Sequence, residues 1–510
     1  GLGDVYKRQD PSIGDLVLRE DQKADVLDLL MSRKNGAREY LNGSKTGVGK
    51  TVVTVAAVKR MARVQNVLVI CPSPVAAVWR QHLKTMGDGG KNWAIINYQA
   101  VKKLLRAPDA VLARDPGRAR NLAVTQKGVP RFAWDLVIRD EAHWCGNPDS
   151  QQTRAIDKII ENPEGVRPAF CINLSATAGE DPAKVSYLHR GLFWATGQTP
   201  RGSITADGYV DWATRNGFTV TRNGYGNALK WEGDPSELRR MSALIYKSTP
   251  SWAVRRVPNW PDQQRVLLPV ELTAAEARAY DAQWSEFQAA MRGLERERAQ
   301  RLRQAKTDSE RAAASSFGRM KGLAAQEAYR RKAAIIRAPG TAAWVAEMVA
   351  KGAQVSVPCQ FHGTLDAVAE HLEKQGIRYA TFTGKNRDDR EDQRIAFQRG
   401  EAPVILFTTT EGISLHAGET AVGGSATDRV SIVAEPRWSP KATLQTEGRA
   451  QRNGTSAPIY YPYAVDTTEE RVLRTVLRGM KNMATMNDDP TAPFEGLAES
   501  LGPVSYTHLR

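Results

Sequence analysis

The stretch that decides the fold of this chain lies near its start and has the sequence Ser44-Lys45-Thr46-Gly47-Val48-Gly49-Lys50-Thr51. It stands between a short apolar run and a helix-forming stretch, which is the context of a loop that binds phosphate. Its glycines permit a close backbone approach, so that amide groups and a helix N-terminus can face phosphate oxygens. The alternative interpretation is a glycine-rich turn without a ligand, since the strict pattern has glycine in place of Ser44. The predicted ATP contacts are Thr46, Gly47, Val48, Gly49, Lys50 and Thr51, and Thr51 is also a predicted ligand of Mg²⁺.

A pair of acidic residues follows a second apolar run, about 90 residues after the loop. The run Leu136-Val137-Ile138 predicts a strand, and the chain continues as Arg139-Asp140-Glu141-Ala142-His143. The end of a parallel strand delivers such side chains to the crevice where phosphates bind. We predict that Asp140 holds Mg²⁺ and that Glu141 orients the attacking water, because phosphoryl transfer depends on positioning and charge stabilisation. The alternative is an acidic N-cap of the following helix.

Two arginines near the C-terminus, Arg449 and Arg452, are candidates for stabilising the transferred phosphate. They lie three residues apart, so they would share one face of a helix. An arginine directed at the γ-phosphate can raise the rate by about 10³–10⁵-fold. An isolated pair of this kind is usually part of a solvated surface, but this pair lies within the motif-like run Gln445–Gly454. We therefore predict a catalytic site that is assembled from two domains.

Alternating strand-like and helix-like stretches predict an α/β fold with parallel sheets in both halves of the chain. Continuous apolar runs are typical of strands that are buried on both faces of a sheet. The runs that predict strands are Val67–Cys71, Ala94–Asn97, Asp135–Ile138 and Phe170–Leu174 in the first half, and Ala353–Val357, Arg378–Phe382, Pro403–Phe407 and Arg429–Val433 in the second. The predicted helices include Lys50–Arg63, Val75–Lys84, Leu365–Gln375 and Asp389–Arg399. Weak periodicity predicts irregular structure for Thr199–Trp260.

A basic helical segment separates the two halves. Residues Thr273–Arg337 are rich in Ala, Glu and Arg and contain no proline, which predicts long helices. The part Arg292–Arg337 holds 13 Lys or Arg and 5 Asp or Glu residues, a net charge of +8. Such a segment can follow a phosphate backbone, and a solvated helical insertion is an equally good interpretation. The candidate phosphate contacts are Arg296, Arg301, Arg303 and Lys306.

Composition favours a soluble protein of two to four domains with a polyanionic partner. The chain has 510 residues, of which 41% are hydrophobic and 25% are charged, and its formal net charge is +15. This charge favours nucleic acid as the partner, with an anionic membrane surface second. No apolar run approaches the ~20 residues of a membrane-spanning helix, so we expect no membrane partner. Four cysteines without a Cys-x-x-Cys pair predict reduced core residues and a cytoplasmic location, and they argue against a zinc site.

The two ends of the chain are expected to be foreign to the protein. Asp4–Gln9 is the translation of a transposon end that is used to prepare sequencing libraries, and Val504–Leu509 is a translation of its reverse complement. We therefore exclude residues 1–9 and 504–510 from fold prediction and expect the natural protein within about Asp10–Pro503. Their charged residues, one Asp, one Lys and two Arg, contribute +2, which leaves a net charge of +13.

Together these motifs resemble those of superfamily-2 helicases, and among them the Swi/Snf-like DNA translocases, including phage-type members. The resemblance extends from about Leu18 to Pro462 and includes Ser175-Ala176-Thr177. The segment Glu435–Gly454 is also similar to strawberry-notch-type helicases. The resemblance implies that Gln22 contacts adenine and that Gly412 lies at the nucleotide. Departures from the usual family residues are Ser44, Arg139 and Gly448.

The resemblance implies two RecA-like P-loop NTPase domains, at residues 10–250 and 346–503, with a linker and basic helical insertion at 251–345. It further implies an ATP-dependent translocase or helicase that moves on nucleic acid, with DNA favoured over RNA and duplex DNA most of all. An RNA helicase is the alternative within the same class. Alternatives of other classes are a basic nucleic-acid-binding scaffold with a degenerate ATPase fold, and a single-domain P-loop kinase or transporter ATPase.

Overall fold

The computed structural model describes most of the chain between residues 12 and 489. The described residues are 12–13, 16–105, 132–163, 165–198, 205–222, 229–257, 264–386, 388–408, 413–419, 422–437, 439–450 and 457–489. The terminal segments 1–9 and 504–510, and the candidate residues Gly412 and Arg452, lie outside them. The chain divides into two compact units. The first contains the residues up to Asn223, Asn227–Pro258 and Asn482–Asp489, and the second contains Asn259–Lys481.

The first unit is built on a parallel sheet. In chain order, its strands are β1 (Ser12–Ile13), β2 (Leu16–Val17), β3 (Glu39–Asn42), β4 (Asn66–Cys71), β5 (Asn92–Asn97), β6 (Leu136–Asp140), β7 (Phe170–Leu174), β8 (Val220–Arg222), β9 (Leu229–Trp231) and β10 (Ala253–Val254). Strands β1 and β2 form one antiparallel pair, and β8 and β9 form another. The main sheet has the order β10-β3-β7-β6-β4-β5 with parallel pairing throughout, which confirms the prediction from the buried apolar runs.

Both faces of this sheet are buried. In β4, Leu68 and Ile70 pack in one hydrophobic core, whereas Val67 and Val69 pack in a second one. This alternation explains why the strand is a continuous apolar run in the sequence. The helices are α1 (Glu20–Lys34), α2 (Lys50–Lys59), α3 (Val75–Met86), α4 (Gln151–Glu161), α5 (His189–Ala195), α6 (Ala206–Arg215) and α7 (Pro235–Tyr246), with 3₁₀ segments at Tyr98–Leu104, Ala142–Cys145 and Pro182–Leu188.

Two expectations for this unit need correction. Helix α2 ends at Lys59 rather than Arg63, because Arg60 and Met61 turn the chain by donating backbone hydrogen bonds to residues three positions earlier. The region Thr199–Trp260 is not irregular where it is described, since it contains α6, α7 and strands β8 to β10. Its order comes from packing that periodicity does not reveal. Trp212 is fully buried and stacks with Phe193 and Phe218 at ring-centroid distances of 5.4 and 5.9 Å.

The second unit contains another parallel sheet. Its strands are β11 (Arg265–Val270), β12 (Gln354–Pro358), β13 (Tyr379–Phe382), β14 (Val404–Phe407), β15 (Arg429–Ile432) and β16 (Ile459–Ala464), in the order β11-β16-β15-β12-β14-β13. All described neighbours are parallel, which confirms an α/β fold with a parallel sheet in each half, as in RecA-like domains. The helices are α8 (Ala274–Gln304), α9 (Asp308–Ile336), α10 (Ala338–Ala350), α11 (His362–Lys374), α12 (Arg390–Arg399), α13 (Pro440–Glu447) and α14 (Thr468–Met486), of which the residues up to Lys481 belong to this unit.

The basic segment forms long helices, as predicted, and these two helices, α8 and α9, pack as an antiparallel pair. Each helix begins with a capping box, in which the Thr273 and Thr307 hydroxyls accept from the backbone of Glu276 and Glu310, and those glutamates accept in return. The threonine and glutamate three residues later satisfy backbone donors that a helix start leaves open. Among the described helices, none combines the length and the apolar character needed to cross a bilayer.

Candidate functional site

Three sequence motifs meet at one edge of the first sheet. Leu174 pairs with Asn42 of β3 on one side and with Asp140 of β6 on the other, so the three parallel strands end at the same level. The glycine-rich loop follows β3, Ser175-Ala176-Thr177 follows β7, and Glu141 follows β6. The carboxyl edge of a parallel sheet is the place where ligands of such folds bind. The prediction that the loop and the acidic pair share one site is therefore consistent with the sheet order.

The glycine-rich loop has the backbone that only glycine adopts without strain at two positions. Gly47 and Gly49 have φ angles of 91° and 90°, and Gly49 is the N-cap residue of α2. A Cβ atom on Gly49 would lie 2.4 Å from the side-chain nitrogen of Gln22. Helix α2 thus starts directly behind the loop, and its N-terminal amide groups are directed towards the crevice. Thr51 lies half-buried in the first turn of α2, and Thr46 is exposed.

The Lys50 side chain lies inside the loop. Its Nζ donates to the carbonyl oxygens of Ser44 at 2.8 Å and Lys45 at 3.2 Å. Burial lowers the pKa of the Lys50 ammonium, while the charges of Glu141 and Asp140 act in the opposite direction. The ammonium group therefore lies within electrostatic reach of both carboxylates, as a lysine that binds phosphates beside a Mg²⁺ site must do.

Gln22 contacts the loop rather than open space. Its Nε2 atom donates to the backbone oxygen of Val48 at 3.1 Å, and the Arg19 guanidinium donates to the same oxygen at 2.9 Å. The Gln22 Oε1 atom accepts from the backbone of Arg19 at 3.1 Å. In this arrangement Gln22 fixes the loop backbone, and its contact with adenine stays a prediction.

Asp140 is held on two sides. Its Oδ2 atom accepts from the indole nitrogen of Trp79 at 2.8 Å, and its Oδ1 atom accepts from the backbone of Glu141 at 3.0 Å. Trp79 lies on α3 and is fully buried. Burial raises the pKa of the Asp140 carboxyl, and the hydrogen bond from Trp79 opposes that rise. The acidic motif gave no sign of Trp79, because this contact joins residues 61 positions apart.

Glu141 has an unusual backbone. Its φ and ψ angles of 54° and 47° lie in the left-handed region, which costs a non-glycine residue roughly 1 kcal/mol or more. The turn begins the 3₁₀ segment Ala142–Cys145 immediately after β6. His143 Nδ1 lies 3.3 Å from the Glu141 carboxylate and 2.8 Å from the hydroxyl of Ser175. A chain of polar contacts therefore joins Glu141 to the Ser175-Ala176-Thr177 segment, in which Ser175 donates to the Thr177 carbonyl at 2.9 Å.

Arg139, a departure from the family pattern, belongs to a buried network beneath the site. Its guanidinium donates to Glu39 at 2.7 Å and to Asn173 at 2.6 Å, and neither charged side chain is exposed. Asn173 also donates to Glu39 at 2.7 Å, and the backbone of Gly191 donates to the second Glu39 oxygen at 3.0 Å. The charge of Arg139 is thus compensated within three neighbouring strands, and it plays a structural part.

Replacing Glu39 by Gln is expected to lower the free energy of unfolding of the first unit by about 3–5 kcal/mol, because the Arg139 charge would stay buried without compensation. Urea unfolding followed by tryptophan fluorescence measures the change. The double variant Glu39→Leu/Arg139→Met removes both charges and should recover most of the loss. Equal stability of Glu39→Gln and the wild type would show that the pair is not the anchor described above.

In the second unit, the arginine motif is held through a neighbouring glutamate. Glu447, the last residue of α13, is fully buried and pairs with Arg265 of β11 at 2.8 Å. Tyr461 of β16 donates to the same carboxylate. Arg449 follows two residues later, and its backbone oxygen accepts from Leu415 at 2.9 Å. Arg449 therefore belongs to a segment fixed on the sheet, whereas Arg452 lies outside the described residues and its role stays a prediction.

One family of known proteins matches part of this chain. Residues 15–180, roughly a third of the chain, match the family model described as "Type III restriction enzyme, res subunit". A search of curated protein sequences finds no relative. The Sulfolobus solfataricus SWI2/SNF2 ATPase core, solved in complex with double-stranded DNA, is similar over 96% of each chain, with 16% identity and a TM-score of 0.35. The Hef helicase domain of Pyrococcus furiosus is similar over 89% of this chain and 97% of its own, with 14% identity and a TM-score of 0.44.

The family match covers the stretch that holds the loop at Lys50, the acidic pair at Asp140 and Glu141, and the Ser175-Ala176-Thr177 segment. Those motifs meet at one edge of a parallel sheet, and a second parallel α/β unit follows them in the chain. The family match over residues 15–180 supports the resemblance stated from the sequence, and the chain is an ATP-hydrolysing enzyme.

Proposed function

We propose that this enzyme is an ATP-driven translocase of the Swi/Snf-like kind that moves along nucleic acid, with duplex DNA as its preferred track. The observation that carries the proposal is the convergence of Lys50, Asp140 and Glu141 at one sheet edge beside Ser175. In this arrangement a phosphate-binding lysine, a carboxylate for a metal ion and a carboxylate for water lie together. The contacts from Glu141 through His143 to Ser175 join the acidic motif to the Ser175-Ala176-Thr177 segment.

Each residue of the site would have its own role in the binding and hydrolysis of ATP. Lys50 and the backbone of Thr46 to Gly49 would hold the β- and γ-phosphates of ATP. Thr51 and Asp140 would hold Mg²⁺, which when bound neutralises charge on the phosphates. Glu141 would orient the water that attacks, because its carboxylate is directed by the left-handed turn and by His143. Arg449 and Arg452 of the second unit would supply positive charge to the transferred phosphate, and Gly412 would contact the nucleotide.

Nucleic acid is the polymer that fits the charge of the chain, which is +15 in all and +13 without the two terminal segments. Steady-state ATP hydrolysis with duplex DNA, single-stranded DNA and RNA, compared side by side, tests the proposal. We expect stimulation by nucleic acid, with duplex DNA giving the highest rate. Stimulation by RNA alone would assign an RNA helicase instead. Hydrolysis that is equally fast without any polymer would overturn the motor and leave a simple ATPase.

Trp79→Phe should weaken the use of Mg²⁺ because it removes the indole donor from Asp140. Loss of a partner that orients a metal ligand typically costs about 10–100-fold in metal affinity, so the Mg²⁺ concentration for half-maximal turnover should rise by about 10-fold or more. Excess Mg²⁺ should restore turnover. The acid limb of the pH profile should move to higher pH, since the hydrogen bond holds down the pKa of Asp140.

Trp231→Phe is the matched control, because the Trp231 indole donates to the Glu237 carboxylate rather than to Asp140. It should leave the Mg²⁺ dependence unchanged. If Trp79→Phe lowers turnover at all Mg²⁺ concentrations alike, Trp79 contributes packing and does not position Asp140.

A further inference from the structure

We call the helical pair α8 and α9 the arm. Its inner side is the side on which the two helices contact each other. Near its base, Tyr280, Trp284 and Phe287 of α8 surround Tyr329 of α9, with ring-centroid distances of 6.0, 5.3 and 5.2 Å. The hydroxyl groups of Tyr280 and Tyr329 both contact the Thr468 hydroxyl, at 3.2 and 2.6 Å. These contacts tie the arm to the start of α14 in the same unit.

A second set of contacts ties the arm to the segment that leads to α13. Arg330 of α9 donates to the backbone oxygen of Pro436 at 2.5 Å, and Arg337 donates to Ala434 at 2.6 Å. Arg337 also pairs with Glu469 at 2.7 Å. These contacts attach the arm to the polypeptide between β15 and the arginine motif.

The inner side of the arm continues to its far end through two arginines. The Arg301 guanidinium lies 3.8 Å from the ring centroid of Phe317 and pairs with Glu297 at 2.9 Å. The Arg298 side chain lies against Gly318, where an added Cβ atom would come within 2.8 Å of its Cδ atom. Arg301, a candidate phosphate contact in the sequence, thus packs on α9 through Phe317, and its role as a phosphate contact stays a prediction.

The opposite side of α8 carries three other arginines. Arg292, Arg296 and Arg303 are exposed, and at 3.6 residues per turn they lie within about 40° of one another. The same geometry places them roughly 140–180° from Arg301. They extend over about 16 Å of helix. Among positions 292–303, Glu295 is the acidic residue that lies nearest to these arginines around the helix axis. It is rotated by about 60° or more from each of them.

We propose that this arginine face, formed by Arg292, Arg296 and Arg303, binds the phosphate backbone of duplex DNA. Duplex DNA carries one negative charge per ~1.7 Å of its axis, so a 16 Å row of arginines runs past about nine phosphates. An anionic membrane surface fits less well, because a helix that lies on a membrane needs an apolar face to insert. The apolar face of α8 is occupied by α9. The proposal deepens the proposed function, since it names where the track contacts the enzyme.

The test is the salt dependence of DNA binding by the full chain, measured without ATP by anisotropy of a labelled 30-base-pair duplex (a length of about 100 Å). Neutralising one phosphate contact removes ~0.9 from the slope of log Kobs against log salt concentration. The triple variant Arg292→Gln/Arg296→Gln/Arg303→Gln should therefore lower the slope by about 2.7. The triple variant with lysine at these positions should keep the slope, because the charge remains. An unchanged slope in the glutamine variant would overturn the proposal.

A matched control separates this face from the charge of the whole protein. Lys351→Gln/Lys374→Gln/Arg378→Gln removes three exposed charges from other parts of the second unit. It should change the slope by less than about one phosphate contact. An equal loss in this control would mean that net charge, and not the arginine face, governs binding. Circular dichroism should give both triple variants the helix content and melting midpoint of the wild type.

Two further binding measurements identify which polyanion the arginine face binds, and they test this proposal separately from the proposed motor function. Single-stranded RNA and vesicles of anionic phospholipid replace the duplex in the same binding assay. If the glutamine variant shows a lower slope with RNA or vesicles but an unchanged slope with DNA, the assignment to DNA is overturned. Binding is measured without ATP turnover, so the two proposals can fail separately. If the wild type binds DNA through this face but shows no DNA-stimulated hydrolysis, the proposed motor function is wrong and the DNA-binding face still stands.

Discussion

Glu141→Gln is expected to bind ATP normally and to hydrolyse it about 10²–10⁴-fold more slowly than the wild type, the range that a positioned general base contributes. The amide has the size of the carboxylate but accepts a proton poorly, so the attacking water loses its acceptor. Asp140 and Lys50 stay in place, because Asp140 is held by Trp79 and Lys50 by the loop carbonyls. A fluorescent ATP analogue measures binding, and phosphate release measures turnover.

Two comparisons make this result specific to the site. Lys50→Ala should lose both affinity and turnover, since it removes the phosphate charge itself. Glu347→Gln, which changes an exposed glutamate that pairs with Lys351, should behave as the wild type. Turnover at the wild-type rate in Glu141→Gln would sink the role assigned to Glu141.

Arg452→Ala is expected to leave the affinity for ATP nearly unchanged and to lower stimulated turnover by about 10³–10⁵-fold, the range measured for arginines that stabilise the transferred phosphate. The loop that binds the phosphates belongs to the first unit, so binding does not depend on Arg452. Added DNA should not rescue the variant, because it would assemble a site without that charge. Single-turnover hydrolysis with saturating duplex DNA measures the effect.

Arg378→Ala is the control, since it removes an exposed arginine of the same unit that belongs to no motif. The isolated loss of turnover in Arg452→Ala would support a site assembled from both halves of the chain. Full stimulated turnover in that variant would instead make Arg452 part of a solvated surface.

Strands such as those at Val67–Cys71 and Val404–Phe407 could be predicted from the sequence because they are uninterrupted apolar runs. The strands that were missed are very short or are interrupted by proline. β10 has two residues and exists through its pairing with β3. β11 and β16 each contain a proline, Pro269 and Pro462, which argues against a strand when the sequence is taken alone. Pro462 is tolerated because its described pairing is with β11, beyond the part of β16 that pairs with β15.

The candidate site likewise contains residues that could be predicted from the sequence and contacts that could not. Lys50 and Asp140 follow from short motifs, because loop glycines and a strand end act over a few residues. The bond from Trp79 to Asp140 and the pairing of Glu447 with Arg265 join residues 61 and 182 positions apart, and tertiary packing alone creates them. The left-handed backbone of Glu141 could not be predicted either, because this conformation is usually indicated by glycine or asparagine and neither is present at this position.

Displacement of the third strand from a DNA triplex measures the central claim, ATP-driven movement along duplex DNA, most directly. The account predicts that the wild type displaces the third strand in the presence of ATP and Mg²⁺, and that Glu141→Gln does not. It also predicts that the duplex beneath remains paired. Displacement no faster than in the absence of ATP, by a preparation that hydrolyses ATP at the full DNA-stimulated rate, would contradict it.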